Sequence, residues 1–249
     1  MAVGGCTNIL FNDGFLDICV IKPGRDFDFV LRTESSKSWT CLHAGASCSL
    51  QKLVVEAARL GCDLSFLAGI PGTVGGAVLG NCGNKKTGIV EFVEKIEFIS
   101  TEKNGPLIRE RTLNAGDYSY RFFNKGNLKV LTDVYLKIPA GSDRNSIFKK
   151  IRHTIKEKKA AQPTKALSAG CFFKNPGPDI SAGELIDRCG LKNFMFGGAR
   201  VSVKHANFIE NAGNATARDI FILSKIIKHY VVQRFNIELE YEVRLAGFE

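Results

Sequence analysis

Apolar residues recur at helical spacing from Leu50 through Leu53, Val54, Ala57 and Leu60, with Ser49 ahead of them as an N-cap and Gly61 behind as a stop. That pattern predicts a helix. Asp17 to Ile21, rich in Ile, Cys and Val, predicts a strand, as do Phe92 to Ser100 and Leu128 to Ile138; in the last, Leu128, Val130, Val134, Leu136 and Ile138 keep step. Lys103-Asn104-Gly105 is a turn signal between strands. Pro139 to Ser142 is expected to be a linker, and the helix after it sets Ile147, Phe148, Ile151 and Ile155 among Lys149, Lys150, Arg152, Lys156, Lys158 and Lys159. Ser181 to Glu184 is a capping-box pattern opening a short helix that Gly190 ends, and Thr216 to Asp219 opens a longer one through about Val232. From Glu238 to Arg244 the chain alternates strictly, placing Leu239, Tyr241 and Val243 on one side. Strands and helices without a repeating βαβ rhythm indicate an α+β protein of two lobes, divided as residues 1–140 and 141–249.

One stretch resists periodicity. Gly69 to Gly83 holds six glycines and Pro71, a composition expected to form a shaped loop rather than a regular helix or a central strand. The N–H groups of Gly69, Gly72, Gly75 and Gly76 could approach a phosphate closely. Neither the Walker nor the Rossmann glycine pattern is present. Phosphate binding and tight packing therefore stand level for this run. A second glycine turn, Gly4-Gly5-Cys6-Thr7-Asn8, follows only Met1 to Val3, whereas such turns normally follow a strand that aims them. The expectation is that an N-terminal piece is missing.

Composition narrows the function classes. A chain of 249 residues with 45% hydrophobic and 24% charged residues suits one large domain or two. No apolar run approaches the ~18–20 residues of a membrane span, and the opening residues lack the regions of a signal peptide. The eight cysteines show no Cys-x-x-Cys spacing and are expected to be reduced thiols in a cytoplasmic protein; the four histidines form no metal cluster. A net charge of +9 raises nucleic acid as a partner, but the basic cluster after Ser142 has the spacing of a solvated amphipathic face. Small anions also suit the overall positive field.

The motifs, taken in order, carry a resemblance. Gly4 to Asn8, Gly69 to Gly76, Tyr120-Arg121, Ser168 to Pro176, Leu185 to Gly190, Gly197 to Asn207 and Glu242 to Arg244 together resemble the UDP-N-acetylenolpyruvoylglucosamine reductase family over nearly the whole chain. The resemblance implies FAD held by lobes of the vanillyl-alcohol-oxidase type, truncated here at the N-terminus, and a C-terminal α/β substrate-binding domain. It further implies that NADPH reduces the flavin, whose N5 passes hydride to an enolpyruvyl double bond in peptidoglycan precursor synthesis. The flavin would be lined by Gly4, Gly5, Cys6, Thr7 and Asn8, by Ala44, Gly45 and Ala46, and by Gly69, Ile70, Pro71, Gly72, Thr73, Val74, Gly75 and Gly76. Tyr120, Lys174, Asn175 and Arg200 would contact substrate, with His205, Ala206 and Asn207 shaping the same wall. The implied partner is a small UDP-sugar enolpyruvyl ether, with no nucleic acid and no membrane, and the chain is expected to be a monomer with no metal.

Hydride addition to an enolpyruvyl ether builds charge on the neighbouring carboxylate, so a fixed cation and a proton donor are needed. The resemblance assigns the cation to Arg121, the donor to Cys171 and the remaining catalytic position to Glu242. Cys171 stands where the family usually has Ser; with a reference pKa of about 8.5 a thiol is mostly protonated at neutral pH yet releases its proton more readily than a hydroxyl. From the residues alone, a surface arginine, a buried small thiol and a solvent-facing glutamate remain open. Arg200, Ala161 and Phe123 also depart from common family residues, Gln, Lys and Ser respectively. An FAD-dependent oxidase of another substrate and a non-catalytic truncated fragment are the competing readings.

Overall fold

The computed structural model describes residues 1–103 and 105–248. Of the predicted turn at Lys103 to Gly105, Asn104 lies outside the described residues. The chain divides into two compact units: Met1–Cys6 with Ile18–Glu157, and Thr7–Asp17 with Lys158–Glu249. The chain thus passes to the second unit for a short segment that includes Ile9–Phe11 (β1), then returns.

The first unit is built on Val30–Ser35 (β2), Trp39–Gly45 (β3), Leu50–Arg59 (α1), Val74–Leu79 (α2), Val93–Glu102 (β4), Gly105–Thr112 (β5), Tyr118–Ser119 (β6), Phe122–Phe123 (β7), Leu128–Pro139 (β8) and Arg144–Ala161 (α3). Five strands form one antiparallel sheet in the order β2-β3-β8-β4-β5. Alternation along β3 and β8 sends Leu42, Ala44, Val134, Leu136 and Ile138 into the core, where they meet Leu50, Leu53, Val54 and Ala57 of α1 and Val74, Ala77 and Val78 of α2. Each large aliphatic side chain buried there contributes about 1.5–3 kcal/mol relative to exposure. On the sheet's other face His43 Nε2 lies 2.7 Å from Asp133, and Tyr135 donates to Glu97 at 2.7 Å.

Helix α1 begins as its pattern predicts, with Ser49 Oγ accepting from Lys52 N, and ends ahead of Gly61 at φ +76°. Three expectations need correction. Asp17 to Ile21 forms no strand: only Ile21 bridges, to Ala2, and Ile18, Val20 and Ile21 stay about half exposed, so no buried face rewards a ladder. The glycine run is not all loop, because Thr73 caps a short helix, α2, whose apolar positions are buried. Core burial and the cap there outweigh the entropic cost of Gly75 and Gly76. Third, α3 does not open the second region. Its Ile147 and Ile151 sit in the first unit's core, and the division falls after Glu157 rather than at 140.

In the second unit Ser168–Cys171 (β9), Ala182–Arg188 (α4), Met195–Phe196 (β10), Ala199–Val201 (β11), Phe208–Asn211 (β12), Ala217–Phe235 (α5) and Arg244–Ala246 (β13) follow in order. An antiparallel sheet runs β10-β11-β12-β9, and β13 pairs in parallel with β1. Thr216 and Asp219 cap α5 reciprocally, while at α4 only the Ser181 half of the box forms, Glu184 reaching Arg188 instead. The tail shows the predicted alternation in burial, Leu239 and Val243 being enclosed. Its regular strand starts only at Arg244, after one bridge from Tyr241 to Phe173. No described helix is long and apolar enough to cross a membrane.

Candidate active site

Three segments distant in sequence converge in the first unit. Val74 N donates to Cys48 O, Gly75 N to Ala46 O and Leu50 N to Gly72 O, which seats the glycine run on the β3–α1 connection. A Cβ on Gly4 would fall 2.5 Å from Thr73 Oγ1, and one on Gly75 would fall 2.8 Å from the Ala46 methyl. The absence of side chains lets these backbones close on one another. Gly45 is packed as closely: a Cβ there would lie 2.1 Å from the Phe27 carbonyl oxygen.

Hydrogen bonding decides which of these N–H groups remain for a ligand. Gly69 N donates to Gln51 Oε1 at 2.9 Å, Gly75 N to Ala46 O at 3.0 Å and Gly76 N to Thr73 Oγ1 at 3.3 Å. Of the four groups the sequence offers, only Gly72 N has no acceptor among the described residues. Thr73 N, Gly4 N, Gly5 N and Cys6 N share that condition. Amides left without acceptors beside residues without bulk could take the phosphates of a dinucleotide. The buried Ala44 and Ala46 build the floor beneath it. Gln51, unremarked in the sequence, holds the run from α1 by also donating to Ile70 O at 2.8 Å. Its only signal is an amide at the start of a helix leading to the glycines.

Arg121 lies between β6 and β7 with φ +53°. Its guanidinium donates to Asn81 O at 3.3 Å and Gly83 O at 3.2 Å, the carbonyls just beyond α2, and sits 5.3 Å from the Tyr120 ring centroid. Asn81 is itself buried, donating to Ser119 O and accepting from Val90 N. The first unit thus presents a half-buried, preoriented cation.

Thr7, Asn8, Cys171, Lys174, Asn175, Arg200 and Glu242 belong to the second unit. Cys171 ends β9 opposite Phe208, and a Cβ on its neighbour Gly170 would stand 3.9 Å from Thr7 O. Glu242 N donates to Phe172 O at 3.0 Å, and Asn8 Nδ2 donates to Glu242 O at 3.0 Å. The second unit therefore gathers the Thr7–Asn8 turn, the thiol strand and the carboxylate tail. Lys174 reaches Glu240 at 3.1 Å, whereas Asn175 Oδ1 accepts from Ala182 N at the start of α4, a structural use that the sequence does not reveal. Arg200 pairs with the buried Glu210 at 2.8 Å, and its buried Nε has no acceptor among the described residues. His205 Nδ1 accepts from Asn207 N at 3.3 Å; burial disfavours the imidazolium and lowers its pKa from the ordinary value. No group of three His, Cys, Asp or Glu among the described residues could hold a metal.

The first unit thus offers backbone amides without acceptors among the described residues, and in the second the segment following Cys171 is hydrogen-bonded to the tail that carries Glu242. The comparisons with known proteins sharpen this. The family model described as UDP-N-acetylenolpyruvoylglucosamine reductase, C-terminal domain, matches residues 162–246. The UDP-N-acetylenolpyruvoylglucosamine reductase of Wolbachia sp. subsp. Drosophila simulans is 35% identical over 247 residues, covering 98% of this chain and 81% of the relative. That of Desulfosudis oleivorans is 36% identical over 255 residues, covering 99% and 80%. The crystal structure of UDP-N-acetylenolpyruvylglucosamine reductase from Thermus caldophilus superposes with a TM-score of 0.78 at 32% identity, covering 99% of this chain and 85% of that one. The chain belongs to the UDP-N-acetylenolpyruvoylglucosamine reductase family.

Proposed function

We propose that this chain reduces the enolpyruvyl ether of UDP-N-acetylglucosamine to UDP-N-acetylmuramate, with FAD as resident cofactor and NADPH as electron donor. The observation that carries the reading is the convergence of Gly4 with Thr73 and Gly76 over the Ala46 floor, in a chain 35% identical to a reductase across 98% of its length. The first unit holds the cofactor and contributes Tyr120 and Arg121 toward the substrate, and the second supplies Cys171, Lys174, Arg200 and Glu242.

FAD, when bound, carries hydride from NADPH to the enolpyruvyl double bond. The N–H groups of Gly4, Gly5, Cys6, Gly72 and Thr73, which have no acceptor among the described residues, would hold its diphosphate. Arg121, fixed by the Asn81 and Gly83 carbonyls, offsets the charge that develops on the substrate carboxylate. The Cys171 thiol gives its proton to the substrate carbon, and Glu242 stabilises the enol form or assists proton movement. Lys174, Tyr120 and Arg200 contact the sugar nucleotide. The chain works as a monomer on this small molecule, and the basic face of α3 is a solvated helix face.

The test is purification with added FAD. The protein should turn yellow, and NADPH oxidation should depend on the enolpyruvyl substrate. A colourless protein that retains no FAD would overturn the reading.

A further inference from the structure

We propose that Asn207 is a positioning residue for this reaction, its side-chain amide fixing the strand that carries Cys171 in register with the tail that carries Glu242. The inference rests on the reading of Cys171 and Glu242 as reacting groups. Asn207 is 3% exposed; its Oδ1 accepts from Phe173 N at 2.9 Å and its Nδ2 donates to Phe173 O at 2.8 Å. A neighbouring strand would offer a residue the same pair, one donor and one acceptor. The amide therefore takes the place of a strand. It does so where one is needed, because the pairing of β9 with β12 runs only as far as Cys171 opposite Phe208.

The other edge of the same segment is held by the tail. Glu242 N donates to Phe172 O at 3.0 Å, Lys174 N donates to Glu240 O at 2.9 Å, and Phe173 bridges Tyr241. The backbone alternates accordingly: Phe173 turns its polar groups to Asn207, while Phe172 O and Lys174 N turn to the tail. Stacking of Phe173 on Tyr241, with ring centroids 5.5 Å apart, and the 3.1 Å contact between the Tyr241 and Ser224 hydroxyls lock the tail side. The spacing of the thiol and the carboxylate is thus set through two residues whose other edge, among the described residues, Asn207 closes, its main-chain carbonyl accepting from Phe172 N at 2.8 Å and its side chain holding Phe173. A displacement of about 1 Å at a reacting group costs on the order of 100-fold in rate.

The test uses the full-length holoenzyme carrying Asn207→Asp, which keeps the volume and the acceptor but turns an oxygen toward Phe173 O. Two readouts are taken: the half-reactions in stopped flow, and the peptide-resolved rate of Cys171 alkylation by iodoacetamide across pH, which needs no turnover. Reoxidation of reduced flavin by the enolpyruvyl substrate should slow on the order of 10- to 100-fold. Reduction by NADPH and KM should stay within about two-fold, and the alkylation profile of Cys171 should shift. Wild-type reoxidation and an unshifted profile would overturn the proposal. So would an equal loss of both half-reactions with an unshifted profile, since that marks a support of the fold alone. Should Asn207→Asp not fold, Asn207→Ser is judged by the same two readouts. If the wild-type chain does not turn over the substrate, the proposed function fails, and the alkylation profile by itself decides the role of Asn207.

Discussion

The groups proposed for the cofactor are main-chain amides of the first unit, from Gly4 to Cys6 and at Gly72 and Thr73, whereas those proposed for the substrate are side-chain tips, Arg121 in the first unit and Cys171, Glu242 and Lys174 in the second. The two kinds of site tolerate change differently. An amide cradle exists only while its segments approach without side chains between them, so its chemistry is tied to glycine and alanine. A side-chain site needs the backbone held, and the group at its tip can vary within one type of chemistry, a thiol and a hydroxyl both being able to give up a proton. The difference predicts that substitutions in the amide cradle act through the fold, and those at the proposed reacting side chains through the rate.

The sharpest contrast is Cys171→Ala, which should lower kcat by about 10²–10⁴ while flavin reduction by NADPH and the melting temperature hold; Cys171→Ser should recover most of the rate. Stopped-flow half-reactions separate these steps, and unaltered turnover in the alanine variant would remove the thiol from the mechanism. Gly45→Ala should do the opposite. Its methyl would press on the Phe27 carbonyl oxygen at 2.1 Å, costing about 3 kcal/mol or more, and urea titration should show stability and flavin retention lost together. Thr216→Ala, which removes the cap of α5, should cost about 1 kcal/mol in the same titration and leave flavin binding intact.

Smaller still is a pH effect confined to the second unit. Burial lowers the folded-state pKa of His205, so as pH falls the unfolded chain takes up a proton first. The stabilisation is full above about pH 6.5 and is lost as pH drops toward the folded pKa. Melting temperatures between pH 7 and 5 should fall less steeply in His205→Gln; parallel slopes would remove His205 from the acid response. Least of all, Glu240→Gln breaks an exposed pair with Lys174 and should change stability by less than about 0.5 kcal/mol, measurable by differential melting.

Local signals made much of the fold legible. Ser49, Thr216 and the alternation from Leu128 to Ile138 mark α1, α5 and β8, because caps and period-two burial are decided within a few residues. What could not be read depends on distant partners. Thr73 nucleates a helix inside the glycine run because Val74 and Val78 find a core there. The α3 helix follows a linker-like stretch, yet its apolar face fits the first unit. At the site, the motifs named the relevant segments, but Gln51, Ala46 and Thr73 decide which glycine amides remain open, the first two through tertiary contacts and Thr73 through a helix cap inside the run. The roles of Asn175 at α4 and of Asn207 at Phe173 are likewise invisible in a string of residues.

The excursion of Thr7–Asp17 into the second unit bears on how the protein is made. Ile9 pairs with Arg244, so β1 leaves the ribosome long before its partner, with the bulk of the first unit synthesised in between. The first unit can close early on contacts of its own, while the second must wait for Arg244–Ala246 and meet a high closure entropy when they arrive. A gene fragment beginning at Lys158 would encode a unit deprived of β1, so trimming the protein to its contiguous C-terminal part would remove a structural member from inside that part rather than isolate it.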